Sequence, residues 1–387
     1  MEDTDKLVGF EITEDFEQFN QINDIFSRAF WDETIMSKDT EAFFDSYRSN
    51  FTAKRVDGFN QKDFALRNAS WLISDLISNR GSKEGMREGF QSAIQNDTGV
   101  AKNKVIVDDL SKQSAEIKHV AKLFGADLVG ITSSDTRWHY SHRVDTKNFE
   151  AVSNDLPAAC NRVIVMAHSM DFDLVETYPS ALAGASSGRE YSHEAAICMQ
   201  LAAYIRGLGY EAIASMNDTA LVIPYAIKAG LGEYGRNQMV ITPEFGPRVR
   251  FSKIFTSLPL EIDIPTALGI KEYCHSCTKC ASACPPKALP FGEPNEKKDS
   301  NSTIKGVKKW SANCEKCFGY WAKIRTDCAI CMRVCPFNRK YLTLADKLWR
   351  WLATSSFRRL AILWEDSSKQ RKRDKLCFCK RRNNSVC

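Results

Sequence analysis

Long apolar runs are absent from this 387-residue sequence. No window approaches the roughly 18 apolar residues that a transmembrane helix needs, so the sequence predicts no membrane span. The first residues, Met1-Glu-Asp-Thr-Asp-Lys6, contain neither an apolar stretch nor a twin arginine. That absence predicts a cytoplasmic protein, or an exported one if this N-terminus is incomplete. No repeat with a period of roughly 20 to 50 residues is found either, which excludes solenoid architectures.

A basic face is also missing from most of the chain, although the net charge is +5. Eight Lys and Arg residues against one Asp lie between Lys369 and Arg382, so the rest of the sequence is slightly acidic. Nucleic-acid-binding proteins carry their basic residues on the folded body, so we expect no nucleic-acid partner. The basic stretch itself is typical of a solvated, disordered tail.

Two familiar cofactor patterns are lacking. The glycines of Gly230-Leu-Gly232-Glu-Tyr-Gly235 follow a predicted helix, whereas a dinucleotide-binding loop follows a strand, so they predict a turn. No D-x-H-x-x-G run is present to supply an axial histidine to cobalt. A corrinoid in this protein would therefore be bound without such a histidine.

Cysteine, by contrast, is abundant and ordered. The stretch from Cys274 to Cys284 matches the ferredoxin run C-x2-C-x2-C-x3-C-P, and Cys328-Ala-Ile-Cys331-Met-Arg-Val-Cys335-Pro repeats its second half. Three closely spaced thiolates bind one cubane, and the cysteine before each proline ligates the neighbouring one. The spacing therefore predicts two [4Fe-4S] clusters, which together form a wire for single electrons.

We assign the eight ligands to two groups. The first group is Cys274, Cys277, Cys280 and Cys335, and the second is Cys284, Cys317, Cys328 and Cys331. Cys314 is an alternative to Cys317, and zinc sites or disulfides are alternatives to clusters, although neither explains the duplicated spacing with its C-P steps. Ten residues separate Cys317 from Cys328, and we expect a loop there whose Phe318-Gly319-Tyr320-Trp321 walls a pocket or packs over a cluster.

The remaining sequence has the pattern of an α/β or α+β protein. A stripe of Ile117, Val120, Ala121 and Phe124 predicts a helix that ends at Gly125. Predicted strands are 126–131, 163–167, 212–215, 239–242 and 249–255, and predicted helices are 195–205 and 218–229. Phe16, Phe19, Ile22 and Phe26 are spaced for one face of an N-terminal helix.

Several motifs together resemble the corrinoid- and iron–sulfur-dependent reductive dehalogenases. They are Ala229-Gly-Leu-Gly-Glu-Tyr-Gly-Arg236, Ile241-Thr-Pro-Glu-Phe-Gly-Pro-Arg-Val-Arg250, Cys317-Phe-Gly-Tyr-Trp321 and the two cysteine runs. The resemblance extends from about Phe124 to about Trp364. It implies a nitroreductase-like core that binds a base-off corrinoid, followed by a ferredoxin-like double-cluster module.

The resemblance also implies roles for single residues. Tyr191, at the start of a predicted helix, corresponds to the proton-donating tyrosine, and Arg250 to the basic residue that supports it. Asn217, Trp321 and Phe30 correspond to residues of the substrate pocket. A tyrosine has a pKa near 10, so a neighbouring arginine that stabilises phenolate would make it a better acid.

These implications give a domain plan and a list of partners. The plan is an N-terminal helical region (1–105), a corrinoid-binding core (106–264), a double-cluster module (265–340), and a C-terminal helix with a basic tail (341–387). The partners are a small organohalide and an external low-potential donor such as a ferredoxin, flavodoxin or reductase. An epoxyqueuosine reductase, which acts on tRNA, and a plain electron carrier are the competing interpretations.

Overall fold

The computed structural model describes residues 2–48, 51–86 and 99–367, so the predicted basic tail lies outside the described residues. The helices are α1 (Glu2–Val8), α2 (Ile25–Arg28), α3 (Lys38–Asp45), α4 (Gln61–Lys83), α5 (Leu110–Phe124), α6 (Phe172–Val175), α7 (Ala181–Gly207), α8 (Val222–Lys228), α9 (Ile270–Ser276), α10 (Lys279–Ala283), α11 (Cys314–Ile324), α12 (Ile330–Arg333), α13 (Leu344–Thr354) and α14 (Arg358–Ser367). The strands are β1 (Ile12–Glu17), β2 (Leu128–Ser133), β3 (Arg143–Asp145), β4 (Glu150–Val152), β5 (Arg162–Ser169), β6 (Ala212–Ser215), β7 (Glu233–Tyr234), β8 (Val240–Ile241), β9 (Val249–Thr256) and β10 (Lys305–Val307).

A four-stranded sheet with the order β2-β5-β9-β6 forms the centre of the core, and every pair in it is antiparallel. In β5 every residue from Val163 to Ala167 is buried to completion, because the sheet is covered on both faces. Helix α7 covers one face, where Ala195, Cys198 and Leu201 pack with residues of β2, β5 and β6. The mixed α/β class and the main predicted strands are therefore confirmed.

Helix α7 is much longer than the predicted 195–205. It begins at Ala181, where the Ser180 side chain caps it by accepting a hydrogen bond from the Ala183 amide. Tyr191 consequently lies in the third turn of the helix and not at its start, which corrects the prediction. The first turns consist of small residues buried on all sides, so they lack the alternation of polar and apolar faces on which the prediction depended.

The predicted N-terminal helical stripe is wrong. Phe16 lies in strand β1, which pairs antiparallel with β10, and Phe26 lies in the short helix α2. Phe10 and Phe16 pack edge-on against Trp138, at ring-centroid distances of 5.3 and 6.0 Å. Contact with a distant aromatic ring therefore overrides the helical spacing in this segment.

The cysteine-rich region is built from short helices. Helices α9 and α10 carry the first run, and α12 lies in the second. The segment between Cys317 and Cys328, predicted as a loop, belongs largely to helix α11, which the side chain of Asn313 caps and which Arg325 ends with a φ of 55°. The aromatic residues Phe318 and Trp321 are therefore held on a regular element. Within the part of the chain that the structure describes, no helix is both long enough and apolar enough to cross a bilayer.

Candidate active site and cluster module

Tyr191, Asn217 and Arg250 come together at one end of the central sheet, from helix α7, the segment after β6, and strand β9. The side-chain amide of Asn217 donates a hydrogen bond of 2.9 Å to the Tyr191 hydroxyl oxygen. The Arg250 guanidinium carbon lies 5.1 Å from the centroid of the Tyr191 ring. Asn217 thus contacts the predicted proton donor.

Arg250 is held in place by a buried hydrogen-bond network. Its Nη2 donates to the Ser187 hydroxyl at 2.9 Å, and Ser187 in turn donates to the Asp327 carboxylate at 2.9 Å. Tyr178 donates to the same carboxylate oxygen at 2.8 Å. Burial lowers the pKa of Arg250, but Tyr191, Tyr178 and Asp327 outweigh it and leave that pKa above its ordinary value. The guanidinium is therefore a permanent positive charge beside the Tyr191 ring.

A residue that sequence reasoning missed covers Tyr191. The Trp71 ring of helix α4 stacks on the Tyr191 ring with centroids 4.8 Å apart and planes 25° apart. Its indole nitrogen donates to the Gly184 carbonyl at 3.2 Å. The contact joins residues more than a hundred positions apart, so no spacing rule connects them. The only signal in the sequence is a tryptophan in a helix of otherwise weak amphipathic character.

Trp321 and Phe30 belong to an aromatic cluster next to this site. Trp321 packs against Phe26 and Phe43, with centroid distances of 5.8 and 6.4 Å. Phe30 is half exposed and stacks on Phe44 and Phe149 at 4.8 and 5.4 Å. The aromatic cluster is linked to Tyr191 only through intermediate rings, because Phe43 contacts Tyr47 and Tyr47 contacts Trp71, which stacks on Tyr191. The structure therefore does not bring Trp321 or Phe30 into contact with Tyr191.

The first group of cysteines lines one small cavity. Cys274, Cys277, Cys280 and Cys335 all line it. Among the described residues, no three His, Cys, Asp or Glu side chains are arranged to hold a single metal ion. A donor set of four thiols around one cavity fits a cubane cluster. Burial raises the pKa of the Cys280 thiol to about 12, so binding of iron would have to displace its proton.

The second group of cysteines lies next to the first. Cys284 directly follows helix α10, and the other three thiols interact electrostatically with the Cys284 thiol and with one another. Burial raises the pKa of Cys317 and Cys328 to about 12. The Cys314 thiol instead donates to the Ala312 and Ser302 carbonyls at 3.7 and 3.8 Å. This geometry favours Cys317 over Cys314 as the fourth ligand.

Comparison with known proteins shows which families this chain is similar to. Residues 143–260 match the model of the reductive dehalogenase subunit, and residues 273–338 match that of the 4Fe-4S double cluster binding domain. A tetrachloroethene reductive dehalogenase of Sulfurospirillum multivorans is 33% identical over 261 residues, which cover 61% of this chain and 52% of that protein. The chain is a relative of the reductive dehalogenases. It spans about half the length of the curated dehalogenases that it matches.

Further relatives show the same similarity. A tetrachloroethene reductive dehalogenase of Desulfitobacterium hafniense is 32% identical over 271 residues, covering 59% of this chain and 49% of that protein. The solved catabolic reductive dehalogenase NpRdhA covers 94% of this chain and 48% of its own, with a TM-score of 0.72 at 22% identity. The fold is thus the reductive dehalogenase fold. An epoxyqueuosine reductase of Bacillus subtilis is 30% identical over only 142 residues, 32% of this chain and 31% of that protein.

Proposed function

We propose that this protein replaces a halogen of a small organohalide by hydrogen, with Tyr191 as proton donor and Arg250 as its supporting cation. The observation that carries the proposal is the contact of three side chains from separate elements, Tyr191, Asn217 and Arg250. The same fold in a solved reductive dehalogenase whose dehalogenation is described as B12-dependent supports it. Two [4Fe-4S] clusters on the eight assigned cysteines and a base-off corrinoid complete the proposal.

The residues around Tyr191 fit a corrinoid. Nε of Arg250 and Oε1 of Glu190 are buried, and among the described residues neither makes a hydrogen bond, although Oε1 lies 3.5 Å from Nη1 of the half-exposed Arg189. Folded proteins satisfy most buried polar atoms, so these two are suited to the amide substituents of a corrinoid ring. When bound, the corrinoid would supply a strongly reducing cobalt centre, and the clusters would supply it with single electrons.

The chain's own residues hold the proton. Asn217 donates to the Tyr191 oxygen, so that bond does not consume the phenolic hydrogen. Both this amide and the Arg250 charge stabilise phenolate, which favours release of the proton to carbon. Trp71 covers the tyrosine ring and excludes water, as an apolar organohalide requires. An external low-potential donor, such as a ferredoxin, flavodoxin or reductase, would reduce the clusters.

The proposal is tested by turnover of tetrachloroethene, the substrate in the names of the curated relatives, in anaerobically reconstituted protein with reduced methyl viologen as electron source. Tyr191→Phe removes one hydroxyl, and we expect turnover to fall by about 10²-fold or more while cobalt and iron contents stay unchanged. Tyr204→Phe is the matched control on the same helix, because its hydroxyl bonds Glu116 near the surface. Normal turnover by the Tyr191 variant would refute the assigned acid.

Metal analysis separates the competing functions. A dehalogenase of this kind should bind one cobalt per chain besides about eight irons. A plain electron carrier would bind the irons alone. An epoxyqueuosine reductase would bind cobalt but would act on modified tRNA instead of on the organohalide, and its resemblance covers a smaller part of this chain.

A further inference from the structure

A buried cation lies beside the first cysteine group. Arg236 is only 1% exposed, and its guanidinium donates to the backbone carbonyls of Cys274, His275, Cys277, Pro290 and Gly292 at 2.7–3.1 Å. Among the described residues, no Asp or Glu forms an ion pair with it. The Trp310 ring, 5.0 Å away, offers only its π face. A charge so deeply buried is costly unless an anion lies near it.

Two further polar groups in the same place have no partner. Asn237 and Tyr273 are 4% and 1% exposed, and both line the cavity that the four cysteines surround. Among the described residues, the Asn237 amide nitrogen and the Tyr273 hydroxyl make no hydrogen bond. Each has hydrogens to donate, and native proteins leave few such atoms unsatisfied. Both donors therefore indicate an acceptor inside the cavity.

A [4Fe-4S] cluster on four thiolates meets both requirements, because it is an anion whose sulfur atoms accept hydrogen bonds. We propose that Arg236, Asn237 and Tyr273 are the counter-charge and hydrogen-bond donors of the cluster at Cys274, Cys277, Cys280 and Cys335, and that they raise its reduction potential. Reduction adds one negative charge to the cluster. A nearby cation and N–H or O–H donors in a medium of low dielectric constant stabilise the reduced state more than the oxidised state.

Arg236 is the last residue of the motif at residues 229–236, and Asn237 directly follows it. These two consecutive residues supply a charge and a donor to the cavity, while Tyr273 directly precedes Cys274, the first cysteine of the cavity. The argument rests on the cluster assignment within the proposed function. It does not rest on the corrinoid or on the organohalide.

The test is an anaerobic redox titration of the reconstituted protein, with dithionite as reductant and the reduced clusters followed by electron paramagnetic resonance. The variants are Asn237→Leu, Tyr273→Phe and the two combined, which remove donors at nearly constant volume. For the combined variant we expect at least a tenfold lower ratio of reduced to oxidised first cluster at a fixed potential, equivalent to a midpoint about 59 mV more negative. The second cluster should keep its midpoint, and Cys317→Ser, which alters that cluster, identifies its signal.

Tyr341→Phe is the matched control. It removes a hydroxyl from the same apolar cluster, but Tyr341 donates to the Phe337 carbonyl and does not line the cavity. Arg236→Gln should lower the midpoint further or lower the iron content, because its loss also releases five carbonyls. Unchanged midpoints in fully loaded Asn237→Leu and Tyr273→Phe proteins would overturn the proposal, as would equal shifts in both clusters. Shifted midpoints in a protein without organohalide turnover would support this inference and count against the dehalogenase proposal.

Discussion

One carboxylate sets the direction of the hydrogen bonds that join Ser187 to Asp327 and to Arg250. Asp327 can only accept while it is ionised, and both Ser187 and Tyr178 donate to it. Burial, followed by the Asp327 charge, raises the pKa of Tyr178 well above its ordinary value, so Tyr178 keeps its proton. The Ser187 oxygen is then left to accept from Arg250. The position of Arg250 thus depends on Asp327 and Tyr178 as well as on Ser187.

Substitution of Ser187 tests this dependence. Ser187→Ala removes the acceptor of the Arg250 Nη2 hydrogen, and loss of a hydrogen bond to a charged group should lower kcat about tenfold. KM should change little, because in this proposal Ser187 acts on the reaction through Arg250 and not through the substrate. Steady-state kinetics of the loaded protein measures both constants.

Ser186→Ala is the matched control for that prediction. Ser186 is the preceding residue of α7, is equally buried, and its hydroxyl has no hydrogen-bond partner among the described residues. Removal of that hydroxyl should leave kcat unchanged. Equal losses in the two variants would mean that packing of the helix, and not the bond to Arg250, causes the effect.

Helix α7 and helix α4 pack so closely that side chains larger than hydrogen do not fit at some positions. An added Cβ at Gly188 would lie 2.3 Å from Cδ1 of Trp71. The helices are also joined by hydrogen bonds, since Ser192 donates to the Ser70 carbonyl at 2.6 Å. The close approach of the two backbones is what lays the tryptophan on Tyr191.

Gly188→Ala should therefore move Trp71 and destabilise the protein. We expect a cost of about 1–3 kcal/mol in the free energy of unfolding, measured by urea denaturation, because the overpacking exceeds the gain in helix propensity. Turnover of the loaded protein should fall as well, because Trp71 covers Tyr191, the proposed proton donor. Gly207→Ala is the control on the same helix, where an added Cβ meets nothing within 4 Å and should stabilise by up to about 1 kcal/mol. Equal behaviour of the two variants would contradict the packing argument.

Some elements of the core were predictable from the sequence, and others were not. Strands β5 and β6 were predictable because apolar residues run through their centres, and β9 because its β-branched and aromatic residues recur between polar ones. The first half of α7 was not, because alanine, glycine and serine buried on all sides leave no periodic signal. Tyr191 and Arg250 were identified by their family motifs, and the structure brings them together. Trp71 and Asp327 act through contacts that only the folded chain creates.

At the scale of the whole molecule, the N-terminal segment is part of the cluster module. Strand β1 pairs with β10, with Ile12 opposite Val307, and Phe43 of α3 packs edge-on against Phe318 of α11 at 5.6 Å. The buried Arg28 donates to Ser302 at 3.1 Å and forms an ion pair with Glu315. The N-terminal segment therefore packs against the cluster module and stabilises helix α11, which carries Cys317.

Arg28→Ala should weaken the packing of the N-terminal segment against the cluster module. The Glu315 side chain is 27% exposed, so water can solvate it when Arg28 is removed. We therefore expect the free energy of unfolding to fall by about 2 kcal/mol, which is less than the full cost of breaking a buried ion pair. The thermal midpoint should fall, and iron should be lost from the second cluster sooner than from the first on exposure to a chelator. Lys308→Ala is the control. The ion pair of Lys308 with Glu11 also joins the two segments, but both side chains are exposed. The thermal midpoint of this variant should therefore not change. Parallel loss of iron from both clusters would contradict the local effect.

The network around Arg250 ends at Asp327, and the next residue along the chain is Cys328, an assigned ligand of the second cluster. One peptide bond thus separates the final acceptor of the hydrogen-bond chain from a ligand through which electrons would pass. A shift of this loop would displace Asp327 and Cys328 at once. The proposed delivery of protons and the proposed delivery of electrons would then be disturbed together. Random mutagenesis should then yield few variants near this peptide in which one rate is tuned while the other stays unchanged.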